Sequence, residues 1–83
     1  MRPTLQKAEA LARECGALFE GAPEAGAWDE AGRACYLRWP GRKFAVLWLN
    51  DSPDGEPVWA GAPLEGEDAR RLAESAPAMR PIS

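Results

Sequence analysis

Histidine is absent from this chain of 83 residues. With it go the usual general base, the commonest nitrogen ligand for a metal and the side chain that titrates near neutral pH. The residues still able to do chemistry are two cysteines, Cys15 and Cys35, and a set of carboxylates in the second half. Two thiols without an imidazole do not complete a tetrahedral zinc site. No serine or cysteine stands in a pattern that gives it a base partner, and no glycine pattern fits a phosphate loop. Asn50, Ser52, Asp54 and Gly55 echo the opening of a calcium loop, but the position that needs its bidentate glutamate falls on Gly61. Asp51 and Asp54 are near enough in sequence for paired acid–base work, yet in a turn both stay solvated. The expectation is a protein that is not an enzyme, holds no metal or other cofactor and has no small-molecule substrate.

What remains is surface. The net charge is −3, which does not suit a binder of polyanions, but the charge is segregated. Residues 35–49 carry Arg38, Arg42 and Lys43 with no acid, whereas residues 50–68 carry Asp51, Asp54, Glu56, Glu65, Glu67 and Asp68 with no base. These six acids are a candidate acidic patch able to substitute for phosphates in a basic groove; structurally they are a turn and a helix start.

The elements that must position these residues come next. Eighty-three residues make one domain, expected over 1–83 with its core at about 4–76 and a flexible tail over 77–83. The first residues lack the apolar centre of a signal peptide and no apolar run reaches membrane length, so a cytoplasmic protein with reduced cysteines is expected, a single Cys15–Cys35 bridge from helix to sheet being the alternative. Leu5, Ala8, Leu11, Ala12, Cys15, Leu18 and Phe19 recur at three- and four-residue spacing and predict a helix from about Thr4 to Glu20, capped by Thr4 and stopped by Gly21 and Pro23. Trp28 stands out in a Gly/Ala/acid connection, either folding back on the core or marking a short extra strand.

From Cys35 to Leu49 the chain reads as a hairpin around Pro40-Gly41. A two-residue loop would set Arg38 against Lys43, so a four-residue loop is expected, pairing Trp39 with Phe44, Leu37 with Val46 and Cys35 with Trp48 on one core face. Ser52-Pro53-Asp54-Gly55 has the residues of a type I turn with a left-handed glycine, returning the chain as an edge strand over Pro57–Gly61. Val58 then joins Trp48, and Trp59 joins Leu47. A last helix runs from about Glu65 to Ala76. The fold class is a small α+β domain of α-β-β-β-α order, a three-stranded antiparallel meander with both helices packed on one face.

That order resembles the double-stranded-RNA-binding domain, in element order alone. The family grips phosphates with lysines at the start of its last helix, where this chain carries Glu65, Glu67 and Asp68. The register leaves Tyr36, Arg38, Leu47, Leu49 and Trp59 on an outer face, residue types that carry binding energy at interfaces. The leading expectation is therefore a protein-interaction module, most concretely an inhibitor or antitoxin-like blocker of a nucleic-acid-handling complex of the anti-CRISPR or anti-restriction type. A nucleic-acid binder using Arg38, Arg42, Lys43, Arg70 and Arg71 is the alternative, and a homodimerising subunit the second.

Overall fold

In the computed structural model, which describes residues 4–75 and 78–82, the chain forms one antiparallel sheet with two helices. The elements are α1 (Leu5–Glu14), β1 (Ala25–Trp28), β2 (Ala34–Trp39), β3 (Lys43–Asp51), β4 (Pro57–Leu64), α2 (Gly66–Ser75) and β5 (Arg80–Pro81). The strand order is β4-β3-β2-β1-β5, so the expected three-stranded meander, β2 to β4, forms one side of a five-stranded sheet with β4 at its edge, and β1 and β5 extend the sheet beyond β2. Trp28 lies in the extra strand, and Arg80–Pro81, expected only as tail, pairs with β1.

Thr4 caps α1 as its sequence suggests, its Oγ1 accepting the Lys7 N–H at 3.2 Å, and Arg13 meets Glu9 at 3.4 Å one turn away. The helix ends at Glu14 rather than near Glu20. Gly16 takes the left-handed conformation (φ 71°), the Gly16 N–H donates to Arg13 O and the Ala17 N–H to Ala12 O at 2.8 Å. These two bonds form a Schellman cap, which satisfies the last carbonyls and turns the chain back toward the sheet. Glu67 and Asp68 occupy the first turn of α2; Ala76 and Pro77, expected at its end, lie outside the described residues.

The β2–β3 register differs from expectation by one residue. Trp39 lies opposite Lys43, Leu37 opposite Ala45 and Cys35 opposite Leu47. The connecting loop is Pro40-Gly41-Arg42, in which Gly41 (φ 83°) and the non-glycine Arg42 (φ 60°) both have positive φ. The loop is thus one residue shorter than expected, because Lys43 joins β3 opposite Trp39. A one-residue shift moves every side chain of a strand to the other face. Leu47 therefore joins Cys35, Leu37 and Trp39 in the fully buried set, and Trp48, expected in the core, is 41% exposed.

One face, carrying Cys35, Leu37, Trp39, Ala45 and Leu47, packs against Ala8, Ala12 and Ala17. Glycines on the flanking strands let α1 and the segment after it approach closely: a Cβ at Gly26 would lie 3.0 Å from Leu5, and one at Gly61 3.1 Å from Ala17 and only 2.6 Å from Leu47 of the neighbouring strand. The polar edge of buried Trp39 is satisfied, its Nε1–H donating to Gly21 O at 3.1 Å, while Phe19 packs edge-on to its ring and carries Lys43 Nζ on its own. The two helices do not share a face. Buried Ala69 of α2 and buried Phe44 line a common groove on the opposite face, where Tyr36, Val46 and Trp48 also point.

Candidate functional site

The expected outer-face row is divided by this register. Tyr36 and Arg38 lie on the α2 face, opposite Val46 and Phe44. Leu47 has no exposed surface, so it cannot touch a partner. Leu49 and Trp59 lie opposite each other on the α1 face, both half-buried, and the Trp59 ring packs edge-on to Trp28. Trp59 thus shares a face with Leu47, as expected, but that face is the core. Arg38 is held by Glu24 (Nε to Oε1, 3.0 Å).

In place of Leu47 and Trp59 the α2 face presents Trp48 and Val58, 41% and 47% exposed. They are diagonal neighbours on one face, since Trp48 pairs with Ala60 and Asn50 with Val58. Tyr36, Trp48 and Leu64 form the floor of an open groove of about 340 Å³, and Asp68, Arg71 and Leu72 form its α2 wall. The shared face of Trp48 and Val58 is legible in the sequence, because both follow from the parity of the β3–β4 hairpin. Its exposure was missed, which followed from the Arg42 turn, and so was the length of β4, which runs to Leu64 where Gly61 was expected to end it.

The ladder also shows which backbone groups are free. The Leu49 N–H donates to Arg33 O at 3.0 Å, so odd-numbered residues of β3 bond to β2 and even-numbered ones to β4. On β4 the groups directed outward therefore belong to Pro57, Trp59, Gly61 and Pro63. Two of these have no N–H, and the Trp59 carbonyl accepts the Cys15 thiol at 3.2 Å. On the other edge the Ile82 N–H donates to Glu24 O, which leaves Pro81 facing outward. Proline at these positions protects an edge against pairing with a further strand.

The acidic residues do not form one patch. Asp51, Asp54 and Glu56 surround the β3–β4 turn, where Ser52 and Glu56 exchange backbone and hydroxyl hydrogen bonds, whereas Glu65, Glu67 and Asp68 lie at the other end of that hairpin. At ~3.3 Å per residue the two groups stand on the order of 20 Å apart. Glu67 is paired with Arg70 at 2.7 Å. Asp68 and Arg71 form no ion pair among the described residues.

Neither thiol is bridged. Burial pushes Cys35 up to about 12, which holds it protonated and unreactive. Among the described residues no group of three or more Cys, Asp and Glu could hold a metal ion, and no helix is long and apolar enough to cross a membrane. No protein-family model matches this chain, and no curated protein or solved structure shows significant similarity to it.

Proposed function

We propose that this chain is a non-enzymatic protein-interaction module that works through the α2 face of its sheet, and that its concrete form is an inhibitor or antitoxin-like blocker of a nucleic-acid-handling complex in the cytoplasm. The observation that carries this reading is the adjacent exposure of Trp48 and Val58 on a face that α2 covers only in part. Exposed apolar side chains grouped in this way, with Tyr36 and Arg71 beside them, have the composition of an interface centre with a polar rim. The proline-lined edges support a contact through the face rather than by strand addition. The three carboxylates around the neighbouring turn, Asp51, Asp54 and Glu56, support a basic partner, for they have no ion-pair partner among the described residues. The cations that a nucleic-acid binder would use are less available: Arg38 and Arg70 are already paired with Glu24 and Glu67.

The test is capture of a partner from a native host extract, comparing the wild type with a Trp48→Ala, Val58→Ser variant. The expected outcome is a stoichiometric complex with the wild type, lost at least tenfold in the variant, whose unfolding transition stays close to that of the wild type. Equal capture by both would remove the α2 face from consideration. Adding the chain to the captured enzyme should stop its action on DNA or RNA; undiminished action would leave a binding module and eliminate the blocker.

A further inference from the structure

Two oppositely charged pairs stand at the same i, i+3 spacing on α2, and they behave differently. Glu67 and Arg70 are joined at 2.7 Å. Asp68 and Arg71, one residue further on, form no ion pair, and both line the groove that holds Tyr36 and Trp48. With Leu72 and Ser75, which line the same groove, they make one continuous stripe along the helix. An acid and a base left unpaired on one stripe, beside exposed Trp48, are complementary to themselves. If two copies of α2 are set antiparallel about a two-fold axis, each Asp68 faces the other copy's Arg71.

We infer that in the free protein the α2 face is occupied by a second copy of this chain, in an isologous dimer in which Asp68 and Arg71 pair reciprocally across the two-fold and Trp48 and Val58 are covered, so that the dimer and the partner compete for one surface. The inference rests on the reading of this face as a protein-contact surface and names its occupant. A symmetric dimer needs one self-complementary patch, and charge complementarity sets its register while the apolar centre supplies affinity. Sheet extension does not compete with it, because Pro57, Pro63 and Pro81 occupy outward positions on the two edges.

The experiment is analytical ultracentrifugation of the full chain from ~1 µM to ~1 mM. The expected result is a reversible rise in mass from the 9.0 kDa monomer to twice that value. Arg71→Asp and Asp68→Arg should each weaken the dimer at least tenfold by placing like charges together, and combining them should restore association to within about threefold. Exchanging the Glu67 and Arg70 charges in the same way should leave it unchanged. Since Asp68 also supports the first turn of α2, Arg71→Ala gives an independent reading and should weaken association without altering the unfolding midpoint measured at ~1 µM, where the chain is monomeric. A mass that stays at 9.0 kDa up to ~1 mM overturns the inference, as does a double exchange no stronger than the single variants. A chain that stays monomeric yet loses a captured partner on Trp48→Ala overturns the dimer and leaves the proposed function standing. Loss of both on that substitution, with a captured partner that dissociates the dimer, supports the two as competing occupants of one face.

Discussion

The indole of Trp28 on β1 meets that of Trp59 on β4 edge to face, with ring centroids 5.6 Å apart and planes at 66°, although β2 and β3 lie between their strands. The two rings reach toward each other across the α1 face, in line with Cys35 opposite Trp28 and Leu47 opposite Gly61. The contact joins the first and last strands of the meander over its fully buried centre.

Removing either ring should therefore loosen the sheet as a whole. Trp28→Ala and Trp59→Ala are each expected to cost about 2–3 kcal/mol, below the range for a fully enclosed tryptophan because both rings are half-buried. The double variant should show a coupling of ~0.5–1.5 kcal/mol in urea unfolding, the value for an aromatic pair beyond its area. Strict additivity would show that the rings act separately.

Gly61→Ala tests the close approach on β4. Its new Cβ would stand 2.6 Å from Leu47 Cδ2 and 3.1 Å from both Ala17 Cβ and Val46 O. Leu47 is fully enclosed and has no room to swing aside. A loss of about 1–3 kcal/mol is expected, reduced when Leu47→Val removes the obstructing carbon. Equal losses with and without that second change would contradict the packing described.

Gly16→Ala gives a prediction of sign. In the middle of a helix, alanine would stabilise relative to glycine by about 1 kcal/mol. Gly16 instead sits at φ 71° in the helix cap, where a Cβ is strained. The expected change is a destabilisation of about 1 kcal/mol, read from the thermal midpoint. An increase in that midpoint would place the helix end beyond Gly16.

Cys35 predicts a pH dependence. Its thiol is raised from 9.0 to about 12 by burial, so below pH 9 it is protonated whether the chain is folded or unfolded and contributes no slope. Between pH 9 and about 12 the unfolded thiol loses a proton that the folded one keeps. Stability should fall as pH rises through this window by at most ~1.4 kcal/mol per unit. Cys35→Ala should remove that component. In the native protein a thiol reagent should label half-buried Cys15 first and Cys35 only on unfolding, which mass spectrometry reads directly.

Several local features were legible in the residues because the physics that sets them is local. Thr4 supplies a cap oxygen three residues before its donor, and Ser52-Pro53-Asp54-Gly55 closes with Gly55 at φ 84°. β1 and β5 were harder to read: Ala25-Gly26-Ala27 has no β-branched residue and Arg80–Pro81 spans two positions. Their hydrogen bonds come from strands distant in sequence, and no periodicity within so short a segment announces them.

The sequence by itself determined that the chain folds around an antiparallel hairpin flanked by helices, that Trp48 and Val58 share a face, and that Trp59 shares one with Leu47. It could not determine which of those faces becomes the core. Phe44, Ala45, Val46 and Leu47 are consecutive apolar residues, all buried, so either face of β3 could have been turned inward and the alternation that usually specifies register was absent. The tertiary structure decided it through the pairing of Trp39 with Lys43, which leaves a three-residue loop closed by positive φ at Gly41 and Arg42, and through the space that Gly61 leaves for Leu47 beneath the segment after α1. That choice buried Leu47, exposed Trp48 and placed α2 opposite α1, and so decided which apolar side chains reach the surface.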